Sequence, residues 1–261
     1  MRWNPTQLIF RKECNLRSRV RRYMTLEQLS IFHQTTHFIT VPLSVAIGAW
    51  YGPRYGYSRK DAMSYSAVMM AIIVVFTYVC KWVPAWFGYT VYINAARTFM
   101  FIPLFTWVMK EPSGGIGVLH GADFVTPNIF FVRTVVLIGC TSLGCGEAIP
   151  CDWGIYSPAQ GQYVFPMDLI DLIATFSIGV GSLIYAKKLN YQGEGRIFGA
   201  AVFALGIVRG LIQFGSTVAW WGIRGFNDET VYSIVSIITG IVIFNRYKNK
   251  QENKKMEESK L

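Results

Sequence analysis

Charge is scarce in this chain. Asp, Glu, Lys and Arg together make up 15% of its 261 residues, where a soluble globular domain carries about 25%. That shortage argues against an ordinary water-facing surface. With 52% hydrophobic residues and a mean hydropathy of +0.32, an integral membrane protein is the first reading. Histidine is nearly missing, with three residues, His33, His37 and His120. The five cysteines, Cys14, Cys80, Cys140, Cys145 and Cys151, are odd in number and give no complete disulfide framework. Cys140 and Cys145 are five residues apart and Cys151 lies six further on, wider than the pairs zinc favours. The histidines fall elsewhere in the chain, so neither a metal nor a cofactor is expected. His33 and His37 share one helical face and read as a packed or hydrogen-bonded pair. The first 23 residues lack the apolar core and small-residue cleavage site of a secretory signal. The net charge of +10 sits in loops and tails, and neither aromatic interleaving nor any motif points to nucleic acid.

What the chain does have is long apolar blocks, near or above the roughly 18 residues that span a bilayer. They predict spans at 29–50, 62–80, 86–109, 124–144, 167–186, 197–221 and 229–245. The expected fold is all-α, a polytopic integral membrane bundle of about seven transmembrane helices. The breaks "YGPRYGYSRKD", "CKWVP", "KEPSGG", "IPCDW", "KKLNYQGEGR" and "RGFNDE" supply Gly, Pro and charge where helices leave lipid. One break is unusual. "GGIGVLHGAD", Gly114 to Asp123, is rich in glycine yet carries His120 and Asp123, and it predicts a re-entrant or irregular polar segment around 112–123 that lines a cavity within protein.

Lys and Arg fall in alternate breaks: Arg54, Arg59 and Lys60, then Lys110, then Lys187, Lys188 and Arg196, then the tail "NRYKNKQENKK". Thr134 through Ala186 holds none. The basic breaks therefore face the cytoplasm, with the charged tail 247–261 inside and the N-terminus outside. A basic arm over 1–23 conflicts with that placement. Either it contacts anionic lipid, or the natural start is Met24, which leaves a membrane domain over 24–246.

An ionisable side chain in hydrocarbon is expensive and marks a candidate site. Four groups qualify: His120 with Asp123, Arg133, Asp168 with Asp171, and Arg209 with Gln213. Each has a structural reading as well, as a loop hydrogen bond, a partner of a helix end or an interhelical ion pair. Together they suit a cavity at the outer leaflet where arginine meets a phosphate and His or Asp handles a proton.

The order of these pieces resembles the bacterial prolipoprotein diacylglyceryl transferase family. Its histidine-glycine-glycine segment is similar to "GGIGVLHGA", which includes His120 and Gly121. Its glycine-rich signature is similar to "IGCTSLGCGEAIPCDWG", which includes Gly139. Its turn into the next helix is similar to "PMDLID", and its last arginine motif to "GIVRGLIQF". The resemblance implies a multi-pass enzyme of the bacterial inner membrane. Such an enzyme moves diacylglycerol from phosphatidylglycerol to the lipobox cysteine thiol of a precursor protein and releases glycerol phosphate. By position, Arg209 would stabilise the phosphate and His120 would place the headgroup or thiol. Gly121, Gly139, Asp168, Asp171 and Gln213 would form the substrate-binding network.

Several positions depart from the family pattern. Leu137 stands where the family signature begins with arginine, Phe165 replaces a leading histidine, Asp168 and Asp171 replace glutamine and glutamate, and Gln213 replaces a glutamate. Arg133 lies one turn before Leu137 on the same helical face, about 6 Å along the axis, and is the expected replacement for the missing guanidinium. A second reading is a catalytically degenerate relative that acts as a lipid-binding or assembly subunit.

Overall fold

The computed structural model describes residues 25–71, 118–220 and 223–258. The basic arm, the predicted span at 86–109, most of the second half of the span at 62–80, and residues 112–117 lie outside them. Among the described residues the chain is mostly helical. The elements in order are α1 (Leu26–Tyr51), a 3-10 turn (Gly52–Tyr55), α2 (59–71), α3 (Val118–Leu143), β1 (Pro150–Ser157), β2 (Gln162–Val164), α4 (Met167–Lys188), α5 (Arg196–Ile212), a 3-10 turn (Gln213–Gly215), β3 (Ala219–Trp220), β4 (Ile223–Arg224) and α6 (Asp228–Glu258).

Three helical stretches are long and apolar enough to cross a membrane, Leu119–Leu143, Met167–Lys188 and Arg196–Gly215, with a shorter apolar stretch at Glu229–Asn245. Along these helices and α1, large apolar side chains are exposed and small polar ones buried, beside an apolar core that includes Phe124 and Phe130. Ile184, Leu211 and Val242 are 67%, 64% and 58% exposed, while Thr36, Thr40, Ser44, Thr175, Ser182, Ser233 and Ser236 are buried. A bundle surrounded by lipid has this pattern, because apolar side chains face the tails without cost and small polar residues let helices approach.

Helix α1 begins with a reciprocal cap, in which Gln28 N–H donates to Thr25 Oγ1 (3.2 Å) and Thr25 N–H donates to Gln28 Oε1 (2.8 Å). Its inward stripe, Thr36, Thr40, Ser44 and Gly48, repeats every four residues; α1 packs along α3, and Gly48 meets Ala62 and Ser66 of α2. Helix α3 packs along α4, α4 along α5, and α5 along α6. At Gly206 a Cβ would stand 2.7 Å from the Ser233 carbonyl oxygen, and glycine there sets the close approach of α5 to α6. Asn128, buried in α3, donates to the Ser44 carbonyl (3.0 Å) and to Ser66 Oγ (3.2 Å), tying α3 to α1 and α2.

Two expectations need correction. The fold is not purely helical: β1 and β2 form an antiparallel hairpin, as do β3 and β4. The first closes through a turn in which Gly161 takes φ 67. Both hairpins lie between helix ends, where backbone groups that leave a helix must find other partners. The second correction concerns 118–123, which is regular helix rather than an irregular segment, since α3 starts at Val118. Regular helix supplies the partners of most backbone groups after its first turn, the Asp123 carbonyl opposite Pro127 excepted, and His120 and Asp123 meet neighbouring elements. The predicted span at 124–144 therefore begins one to two turns earlier. The span predicted to reach 221 instead leaves helix at Ile212 and continues into the second hairpin.

Candidate functional site

The described residues bring polar side chains together in three places. At one end of the bundle, the 3-10 turn, the start of α3 and the α4–α5 connection meet. Burial pushes the Tyr57 phenol up to about 12 and raises that of Tyr55 as well, so both remain neutral hydrogen-bonding groups at ordinary pH. Pro127 supplies no N–H to the Asp123 carbonyl four residues before it, and the Tyr55 hydroxyl donates to that oxygen instead (3.4 Å). His120 Nε2–H donates to the Tyr55 carbonyl (3.1 Å), and its ring packs edge-on against Tyr55 (5.2 Å).

Asp123 is 0% exposed. Its carboxylate accepts from Gly195 N–H and Phe198 N–H, both at 2.8 Å. Helix α5 has no side-chain cap of its own, because its N-cap is Gly195 at φ 94. An acid from α3 thus caps α5 across the bundle, where unpaired N–H groups and the positive helix end both favour an anion. Asp123 is accounted for by that contact.

The second place is nearer the opposite end. Arg133 on α3 donates from Nη2 to Asp171 Oδ2 on α4 (2.6 Å) and from Nε to Thr175 Oγ1 (3.4 Å). Arg209 on α5 has Nε 3.8 Å from the same Asp171 oxygen and Nη1 2.8 Å from Glu229 Oε2 on α6. Its guanidinium lies 5.7 Å from the centre of the Tyr232 ring. Four helices thus contribute two guanidinium groups and two carboxylates to one network. The Asp171 side chain is 7% exposed and that of Arg133 29% exposed. An isolated charge in this setting would be costly, and pairing is what lets these residues occupy the bundle.

Of the predicted site residues, Arg133, Asp171 and Arg209 converge here. Gln213 is buried close by in the chain, one turn after Arg209, and its Oε1 accepts from Asn227 Nδ2 (3.0 Å). Asn227 in turn caps α6 by accepting from Thr230 N–H (3.1 Å). His120 and Gly121 are not part of the network. Thirteen residues of helix separate His120 from Arg133, about 20 Å along the axis. Leu137 is buried, 7% exposed. Sequence reasoning missed Thr175, Glu229 and Tyr232. Glu229 is visible as an acid at the start of the last apolar block, but "RGFNDE" reads first as loop punctuation.

The third place holds the remaining predicted residues. Asp168 Oδ2 accepts from Gly146 N–H (3.0 Å) and fixes the loop after α3 to the start of α4. Gly139 is a packing residue. A Cβ there would stand 2.6 Å from Thr36 Oγ1 and 3.0 Å from His33 Cα, so glycine brings α3 against α1. As a result Cys140 Sγ lies 3.4 Å from His33 Nε2. The sequence argument that histidine lies elsewhere is corrected in space: His33, Cys140 and Cys145 place ligand atoms within 4.8 Å of one another. The reason is topological, since α1 and α3 run side by side although 107 positions separate these two residues.

Comparison of the chain with protein-family models, with curated proteins and with solved structures finds no match.

Proposed function

We propose that this chain is a seven-span protein of a bacterial inner membrane, C-terminus in the cytoplasm, that transfers diacylglycerol from phosphatidylglycerol to the lipobox cysteine of a precursor protein. The single observation that carries the reading is the convergence of Arg133 and Arg209 on Asp171. Two guanidinium groups from different helices, held a few ångströms apart in a low-dielectric interior, are a suitable receptor for a phosphate diester. The motif order that resembles the family supplies the reaction, and Arg133 fills the role left vacant by Leu137.

In the step so proposed, the acceptor thiol gives its proton to a carboxylate or to water. Sulfur then attacks the glyceryl carbon, an S–C bond forms, the bond between that carbon and the phosphate ester oxygen breaks, and glycerol phosphate departs with the electron pair. Arg209 and Arg133 stabilise the charge that grows on that leaving group. Headgroup binding requires Asp171 to release part of its hold on one guanidinium. The longer contact, Arg209 Nε at 3.8 Å, is the one that yields at least cost. The network lies toward the end occupied by the two hairpins, away from Arg54, Arg59, Lys187, Lys188 and Arg196. If the basic end is cytoplasmic, the network opens toward the outer leaflet.

One observation favours the second reading, a lipid-binding or assembly subunit without catalysis. Asp171 and Glu229 already match both arginines, and His120 is about 20 Å away along α3. Release of glycerol phosphate from phosphatidylglycerol in nanodiscs, in the presence of a lipobox peptide, separates the two. The transferase reading expects release that falls by orders of magnitude in both Arg133→Gln and Arg209→Gln. Release unchanged in Arg133→Gln removes Arg133 from the site. No release by folded protein that binds the lipid favours the subunit.

A further inference from the structure

We propose that His33, Cys140 and Cys145 form a binding site for a thiophilic d10 cation, Zn2+ being the probe of choice. The inference goes beyond the transferase reading and stands independently of it. The geometry comes first. Zinc bonds of about 2.3 Å to sulfur and 2.0–2.1 Å to nitrogen, arranged tetrahedrally, separate neighbouring ligand atoms by about 3.5–3.8 Å. Cys140 Sγ and His33 Nε2 stand at 3.4 Å, and the ligand atoms of all three residues lie within 4.8 Å. Closing that outer separation takes about 1 Å of movement, and Cys145 is the exposed member of the set.

The backbone holds the three together. Cys140 sits in the last turn of α3, where its carbonyl accepts both Gly144 N–H (2.7 Å) and Cys145 N–H (3.2 Å). Gly144 takes φ 73, the left-handed conformation that ends a helix and reverses the chain. That reversal returns Cys145 to the side of Cys140. A spacing too wide for a zinc knuckle in sequence thus becomes a paired-thiol turn at a helix end. Asp168 pins the next residue through Gly146 N–H, so a carboxylate orients the loop that carries Cys145. Gly139 supplies the last requirement, because the absence of a side chain there lets α1 bring His33 to the thiols.

The donor set decides the class of ion. Two thiolates and one imidazole favour borderline and soft metals over Mg2+ or Ca2+. Two thiolates also neutralise a divalent cation, which suits a site at the margin of an apolar bundle, where net charge is costly. Three protein ligands leave a fourth position for water or another donor, the arrangement of an open rather than a closed zinc site.

The test uses the full chain with Cys14, Cys80 and Cys151 changed to serine, reduced and purified in detergent. Cys140 and Cys145 are then the remaining thiols. Co2+ titration should reach one equivalent, with thiolate-to-metal charge-transfer absorption and the intense visible bands of tetrahedral Co2+, and Zn2+ should displace it. Cys145→Ser should abolish the charge-transfer signal of the paired thiols, and His33→Ala should weaken binding by more than roughly tenfold. Cys145 is in the exposed loop after α3, so its substitution carries the result if Cys140→Ser fails to fold. Any of three results overturns the site: no saturable binding while both thiols titrate as free, the same affinity after Cys145→Ser, or loss of both thiols to a disulfide that metal does not prevent.

Discussion

Replacing Asp123 by alanine tests the architecture at the most buried acid among the described residues. In the structure the carboxylate accepts two backbone N–H groups at the start of α5, each at 2.8 Å, from a position with no solvent exposure. Losing an ordinary helix N-cap costs about 0.5–2 kcal/mol, measured where water replaces one lost acceptor. Here two donors lose their partner, and a buried donor left unsatisfied costs about 1–3 kcal/mol. Gly195, at φ 94, offers no side chain in exchange. The expected loss for Asp123→Ala is therefore about 2–4 kcal/mol of unfolding free energy. Asp123→Asn keeps one acceptor oxygen and turns an N–H2 toward the other donor, so about half of that loss is expected. The assay is reversible unfolding in mixed micelles followed by circular dichroism. A change under about 0.5 kcal/mol for Asp123→Ala, the range of a neutral surface substitution, refutes the trans-cap.

Asp171→Ala removes the carboxylate that pairs with Arg133 at 2.6 Å, while Arg209 keeps Glu229 at 2.8 Å. A loss of about 3–5 kcal/mol is expected by the buried-pair rule, partly restored when Arg133→Met is added, and unfolding of the single and double variants checks this. Gly139→Val should destabilise the α1–α3 contact by about 1–3 kcal/mol, since the new side chain meets Thr36 and the His33 backbone; a neutral result contradicts the close crossing. Tyr57 has a folded pKa of about 12 against about 10 unfolded. The folded state therefore holds its proton more tightly, and the stability this contributes is fully present below pH about 10 and is lost as pH rises toward 12. Tyr57→Phe should flatten that part of the stability profile measured by unfolding across the range.

The helices around 119–143, 167–188 and 196–212 were legible because their apolar blocks are long and the punctuation between them is strong. Lys187 and Lys188 mark the end of α4. Arg133, Asp171 and Arg209 were legible as candidates because charge inside an apolar block has few explanations. Their convergence was not, since it depends on how α3, α4 and α5 rotate against one another. "GGIGVLHGAD" misled because glycine was weighed as a helix breaker, whereas the segment from Val118 packs against the tyrosines of the 3-10 turn and remains helical. The first hairpin had a faint signal in "YSPAQGQYV", two short aromatic-rich stretches around a glycine turn. That signal was hidden inside a cysteine- and proline-rich loop. His33 next to Cys140 had none, as only the α1–α3 crossing creates it.

The most direct test of the proposed activity is transfer of labelled diacylglycerol from phosphatidylglycerol to a lipobox peptide by the purified protein in nanodiscs, with Arg209→Ala alongside. The account predicts a thioether-linked product from the parent chain and none from the variant, both proteins being shown folded. Product formed equally by the two would contradict the guanidinium network as the site of the chemistry, and no product from a folded, lipid-binding parent would contradict the transferase itself.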